Sequence, residues 1–192
     1  MLTESPRFRS PEQYLPGEVL ISHEQIQERL EEMSEEIAKK YKGDKLLVLG
    51  VLKGAFRITA DLAGMLHDKG LTDLELSFIT IRSYPTGTQA VSEPRIIQDM
   101  DLNPLDRHVL IVDDVSDTDR TLQVVDQLTR SRGASSVETL TLLDKPARRE
   151  VDFNPTYTGF TIPNIWVQGY GMDTDELGRA EKNVIVGPYD YH

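Results

Sequence analysis

The chain has 192 residues, 39% hydrophobic and 28% charged, which is room for one buried core and too mixed for a disordered or membrane-embedded chain. Lys and Arg number 21 against 32 Asp and Glu, a formal charge of −11, so nothing draws the whole molecule to nucleic acid or anionic lipid. Any anionic ligand must be held by local donors or metal ions, and the lack of cysteine excludes disulfides, thiolate zinc sites and a cysteine nucleophile.

Residues 1–17 are polar, with Pro6, Pro11 and Pro16 spaced along them, and read as a flexible arm. They lack the apolar core of a secretion signal, so a cytoplasmic protein is expected. Ser22 is a candidate N-cap with Gln25 as its capping-box partner. Ile26, Leu30, Met33 and Ile37 then recur at helical spacing, and Gly43 closes the helix. The apolar run 45–51 suits a strand buried on both faces. Residues 52–55 turn into a helical pattern over 56–66, ended by Gly70. Residues 74–81 alternate as a strand, with Leu74, Leu76 and Phe78 on one face. Residues 83–94 are turn-rich, and 95–99 are extended again. The run 108–112 is a second buried strand; it enters an acidic turn and a helix over 122–130 that Gly133 stops. Further strands are expected at 136–143, 160–162, 166–170 and 183–186. Strands and helices alternate from about 45 to 143, the order of an α/β fold with a mostly parallel twisted sheet flanked by helices. Residues 18–192 read as a single domain, with a small hood of strands and loops from about residue 144.

In open parallel sheets, ligands bind beyond the carboxyl ends of the strands. After Val112 come two adjacent carboxylates, Asp113 and Asp114, and then Asp117, Thr118 and Thr121 at a strand-to-helix turn. Backbone N–H groups at a helix start, with Thr hydroxyls, suit a phosphate. Adjacent carboxylates suit ribose hydroxyls or a hydrated Mg²⁺. Taken alone, such a turn also reads as an acidic helix cap. The histidines His23, His67, His108 and His192 show no metal spacing and read as structural or solvated.

The run 109–121, VLIVDDVSDTDRT, resembles the phosphoribosyl pyrophosphate motif of type I phosphoribosyltransferases: four apolar residues, two acids, two small or apolar residues, then D-T-G-x-T. It matches at every position but one, where Asp119 replaces the Gly. LKGA at 52–55 resembles the pyrophosphate loop of the hypoxanthine-guanine branch, and RSY at 82–84 opens a stretch similar to its mobile lid. LLDKP at 142–146 is similar to its purine-reading segment, and IPNIWVQGYGMD at 162–173 to its purine hood, with Arg179 beyond. The resemblance runs in one order from about residue 18 to 186.

The resemblance implies transfer of the 5-phosphoribosyl group from phosphoribosyl pyrophosphate (PRPP) to a 6-oxopurine, hypoxanthine or guanine, with Mg²⁺ as cofactor. Asp117 would be the general base on the purine proton. Asp113 and Asp114 would hold the ribose hydroxyls directly or through Mg²⁺. Thr118, Asp119, Arg120 and Thr121 would cradle the 5′-phosphate. Lys53, Gly54, Ser83, Tyr84 and Arg179 would bind pyrophosphate, and the lid over 83–94 would exclude water. Lys145 would donate to the 6-oxo group, Trp166 would stack on the base and Val167 would offer main-chain groups to it. Asp173 would bind a second Mg²⁺ at the purine side. The family's non-proline cis peptide falls at Leu52–Lys53, Ala55 stands where a second Gly is frequent, and Gly178 stands where an aromatic usually precedes the Arg. Asp tolerates the positive φ of the missing Gly better than most residues. Its charge opposes the phosphate unless Arg120 offsets it or the side chain points outward. The working form would be a homodimer or homotetramer with no nucleic-acid or membrane partner. Alternatives are a xanthine-preferring enzyme and a regulatory sensor on the same fold.

Overall fold

The computed structural model describes residues 8–85 and 92–188. A six-stranded sheet has the order β4-β3-β2-β5-β6-β7, built from β2 (Leu46–Leu52), β3 (Leu74–Pro85), β4 (Ser92–Gln98), β5 (His108–Ser116), β6 (Ser136–Asp144) and β7 (Tyr157–Thr161). All its pairings are parallel except β3 with β4. Helices α1 (His23–Lys40), α2 (Phe56–Asp68) and α3 (Arg120–Ser131) cover it. A smaller antiparallel sheet has the order β1-β9-β8, from β1 (Val19–Ile21), β8 (Val167–Gln168) and β9 (Val184–Val186).

The two apolar runs became the central strands because each has two faces to bury. On β2, Leu46 and Val48 enter the core shared with α1 and α2, whereas Leu47, Leu49 and Val51 enter a second core with Leu122 and Val125 of α3. On β5, Leu110 and Val112 face the first core, and Val109 and Ile111 the second. Alternate side chains of a strand point to opposite faces, so a strand covered on both sides reads as one continuous apolar run.

The strand order also places the site. From β2 the chain moves outward to β3 and β4, then returns to the other side of β2 as β5 and moves outward again. The connections leaving β2 and β5 therefore diverge, which opens a crevice at the carboxyl ends of those two strands.

Helix α1 begins where the sequence indicates. The Ser22 side chain accepts from the Gln25 N–H, and Gln25 Oε1 accepts from the Ser22 N–H. Ser22→Ala should cost about 1 kcal/mol, read as a lower midpoint in denaturant unfolding. The helix stops at Lys40 with Tyr41 as its C-cap, and Gly43 serves the turn beyond at φ +90°.

Several expectations are corrected. On β3, Leu74, Leu76 and Phe78 share one face as expected, but the fully buried residues, Ser77 and Ile79, lie on the other, where Ile79 joins the core of α3, and Leu76 is 43% exposed. Residues 144–161 do not belong to the hood: β7 extends the main sheet beside β6, and β1 near the N-terminus completes the small sheet instead. Residues 8–17 lie against the body. Phe8 and Tyr14 pack on the main core, Arg9 pairs with Glu18, and Gly17 N–H donates to the Val186 carbonyl. Apolar burial at two points holds that described part of the arm in place. No described helix is long and apolar enough to cross a membrane.

Candidate active site

The acidic turn after β5 forms one wall of the crevice, and the turn after β2 forms the facing wall. Three adjoining cavities open between them. The first, of about 260 Å³, is lined by Asp113, Asp114, Asp117, Thr118, Asp119 and Thr121, with Gly54 opposite. The second, of about 470 Å³, is lined by Lys145, Trp166, Val167, Met172 and Asp173, and shares Asp114 and Asp117 with the first. The third, of about 400 Å³, is lined by Lys53, Arg82, Asp173, Glu176 and Arg179, and shares Leu52 and Ile81 with the first. A cup beside a helix N-terminus and a slot beside an indole thus meet at Asp114 and Asp117, and a cationic recess adjoins the cup at Leu52 and Ile81 and the slot at Asp173 and Glu176.

Helix α3 starts in the first cavity, so its unpaired N–H groups lie at the cup. Its N-cap is Asp119, at φ +63°, the left-handed conformation that Gly would have supplied. Asp117 therefore does not cap the helix. It lines two cavities and pairs with Arg148 Nε at 3.1 Å. Asp113 is buried and accepts from the Asp114 N–H at 3.0 Å. Burial, reinforced by the neighbouring Asp114 charge, pushes the Asp113 carboxyl well above the usual carboxylate range. Burial also raises Asp114. Two adjacent carboxylates short of counter-charge fit a cation that arrives with the ligand.

Gly54 makes this packing possible. A Cβ there would stand 2.0 Å from Asp114 Oδ2. Gly171, at φ +107°, closes the same contact from the hood, since a Cβ would fall 2.0 Å from the Gly54 carbonyl oxygen. The Leu52–Lys53 peptide is cis, as the resemblance implies.

The base slot is assembled by β6 and the hood. Lys145 follows β6, is 3% exposed, and donates its backbone N–H to the Ser116 carbonyl at 2.9 Å, which ties it to the acidic turn. Burial lowers its ammonium pKa, against the opposing pull of Asp117. Trp166 donates Nε1–H to Thr174 Oγ1 at 2.8 Å. Its indole lies against Gly187, where a Cβ would meet Trp166 Cδ1 at 2.1 Å. The ring is thus fixed in orientation on one side, with the slot beside it.

The cationic recess holds its own acids. Lys53 Nζ pairs with Glu176 at 2.9 Å, and Arg179 pairs with Asp173 at 2.7 Å and Glu176 at 3.3 Å. Arg179 Nη1 also donates to the Gly171 carbonyl, so it is anchored despite the Gly178 that precedes it. Asp173 also accepts from the Glu176 N–H at 2.8 Å, so a cation there would share it with Arg179. Among the described residues no group of three or more His, Cys, Asp or Glu forms a preassembled metal cage.

Most of the expected site residues therefore meet in one crevice. Arg120 does not line the cup; it pairs with Glu150 at 2.6 Å, so it offsets Asp119 in neither place nor charge. The Asp119 carboxylate turns inward rather than outward, to Arg149 at 2.7 Å. Ser83 and Tyr84 lie near the end of β3, paired in backbone register with Pro94 and Glu93, and of the lid expected over 83–94 residues 86–91 lie outside the described residues. Sequence reasoning missed Arg82, Glu176, Arg148 and Arg149. Arg82 opened the RSY motif but was given no role, and Arg148 and Arg149 stood out only as a basic pair.

Residues 20–175 match the phosphoribosyl transferase domain family. The chain is 42% identical over 161 residues to a hypoxanthine-guanine phosphoribosyltransferase of Lactococcus lactis, covering 84% of this chain and 85% of that one. Its fold is similar to a crystal structure of a hypoxanthine phosphoribosyltransferase from Staphylococcus aureus, at TM-score 0.82 and 36% identity over 88% of this chain and 90% of the other. It is also similar to the hypoxanthine phosphoribosyltransferase of Trypanosoma cruzi, at TM-score 0.80 and 34% identity over 89% and 96%. The acidic turn between β5 and α3, the crevice it lines and these likenesses along most of the chain lead to one conclusion: this protein belongs to the phosphoribosyltransferase family.

Proposed function

We propose that the protein transfers the 5-phosphoribosyl group of PRPP to a 6-oxopurine, hypoxanthine and guanine, and releases pyrophosphate in purine salvage. The observation that carries this reading is the adjacency of three cavities of different chemistry: the cup and the slot share Asp114 and Asp117, and the recess borders both through Leu52, Ile81, Asp173 and Glu176. The cup at the N-terminus of α3 suits the 5′-phosphate, and Asp113 and Asp114 suit the ribose hydroxyls. Lys53, Arg82 and Arg179 suit the pyrophosphate. The slot between Lys145 and Trp166 suits a flat base, stacked on the indole.

In the reaction a purine ring nitrogen bonds to the ribose carbon as the bond to the pyrophosphate oxygen breaks. Asp117 accepts or shares the proton on the other imidazole nitrogen of the base. Lys145 donates to the 6-oxo oxygen, and the recess cations neutralise the leaving charge. Mg²⁺ would be held by Asp113, Asp114 or Asp173 together with substrate oxygens, the usual mode for an ion that prefers phosphates to all-protein cages. It supplies charge neutralisation on the pyrophosphate. The regulatory-sensor reading is not favoured: Arg148 and Arg149, the basic pair that stood out in the sequence, are both engaged with acids of the turn.

The test is pyrophosphate release with hypoxanthine, guanine, xanthine and adenine, with and without Mg²⁺. Turnover of hypoxanthine and guanine is expected, with adenine inert because its 6-amino group meets the Lys145 donor. Xanthine should be slower, because it is partly anionic near neutral pH and the slot carries Asp114, Asp117, Asp173, Asp175 and Glu176. Burial favours the neutral amine of Lys145, so its proton leaves at a lower pH than an ordinary lysine's. The alkaline limb of kcat/KM for hypoxanthine should accordingly lie below the usual lysine range, and Lys145→Arg should move it upward. Activity with adenine alone would overturn the role of Lys145.

A further inference from the structure

Three consecutive residues after β6 lie along the acidic turn and engage it one by one. Arg148 Nε donates to Asp117 Oδ1 at 3.1 Å, Arg149 Nε to Asp119 Oδ2 at 2.7 Å, and Glu150 accepts from Arg120 Nε at 2.6 Å. The Glu150 N–H also donates to the Thr118 carbonyl at 3.2 Å. The middle contact matters most. Asp119 stands where the family motif has Gly, and its side chain is fully buried, 0% exposed, in the wall of the cup. A buried carboxylate without a counter-charge is costly, and beside a dianionic phosphate it would also repel the ligand. Here Ser116 Oγ donates to Asp119 Oδ1, and the guanidinium of Arg149 takes Oδ2. The same guanidinium donates Nη2–H to Asp144 Oδ1 at 2.6 Å, at the end of β6 next to Lys145.

Resting on the transferase reading above, we propose that Arg149 is a positioning residue for the sugar-phosphate cup. It neutralises Asp119 from beneath the turn and holds its side chain inward, so that the turn presents N–H groups and hydroxyls to phosphate. Arg149 thereby makes an aspartate workable at a glycine position. The interaction is conditional: Arg149 is needed only while Asp119 carries its charge. A guanidinium that merely braced Asp144 would be needed whatever stood at position 119.

This condition defines the experiment. Arg149→Ala, Arg149→Lys, Asp119→Gly and the double variant Asp119→Gly/Arg149→Ala are compared by calorimetric binding of ribose 5-phosphate, by KM for PRPP and for hypoxanthine, and by thermal melting. Arg149→Ala should weaken ribose 5-phosphate binding and raise KM for PRPP by about tenfold, with KM for hypoxanthine changed less. Arg149→Lys should recover part of that loss, because it restores the charge without the two-pronged geometry. Asp119→Gly alone should tighten ribose 5-phosphate by about twofold, and in that background Arg149→Ala should cost less than about threefold. A tenfold loss that persists in the double variant, or a rise in KM confined to hypoxanthine, would overturn the proposal and assign Arg149 to Asp144. If Arg149→Ala melts too low to assay, comparing Arg149→Lys with and without Asp119→Gly reads the same conditionality. A wild-type protein that binds ribose 5-phosphate but releases no pyrophosphate would sink the transferase reading while leaving the phosphate cup standing. A wild type that does neither would sink both.

Discussion

Asp117→Asn should lower kcat by about 10²–10⁴-fold while KM for PRPP changes little. Asparagine keeps the shape of the side chain and can still face Arg148, but it cannot take up a proton. Asp117 stands where the sugar cup and the base slot join, within reach of the imidazole ring whose other nitrogen gives up its proton as the reacting nitrogen attacks. The competing role of helix cap is closed to it, since the N-cap position of α3 is Asp119. Steady-state kinetics at saturating PRPP and hypoxanthine read the effect. Undiminished kcat would remove Asp117 as the base, and a loss confined to KM would make it a binding group.

The second large effect comes from a methyl group. Gly54→Ala would put Cβ 2.0 Å from Asp114 Oδ2 and 2.4 Å from its Cγ. The loop after β2 and the Asp114 carboxylate near the end of β5 cannot both keep their places, and Gly171 packed on the Gly54 carbonyl blocks retreat toward the hood. Displacement of either wall by about 1 Å should lower kcat/KM for PRPP about 10²-fold. Overpacking should also destabilise the fold by about 1–3 kcal/mol. PRPP kinetics beside denaturant unfolding separate the two: a variant that loses stability but keeps kcat/KM would show that Asp114 can move without consequence for the reaction.

Much of this was legible in the residues. The continuous apolar runs marked β2 and β5 as strands buried on both faces, because a strand with two covered faces has no polar side to show. The acidic turn was legible because its residues are contiguous in the chain: one strand end and one helix start bring Asp113, Asp114, Asp117 and Thr121 to a single cup. The capping box at Ser22 was legible for the same reason, since both partners lie within one turn of helix. The hood boundary was not, because β1 and β9 pair across the length of the chain and β7 joins the main sheet rather than the hood.

The charge balance around the site was decided only in three dimensions. Arg149 reaches Asp119 from 30 residues away and Glu176 reaches Lys53 from 123 away, and no periodicity relates such positions. The sequence by itself determined the alternating α/β order, the two central strands and the chemistry available at their carboxyl ends. Those follow from side-chain alternation and backbone geometry, which act over a few residues. Tertiary structure alone decided which acid meets which base, which way Asp119 turns, and that Gly54 must stay bare. Those outcomes depend on how separate elements pack, and a buried charge takes whichever partner the packing brings within reach.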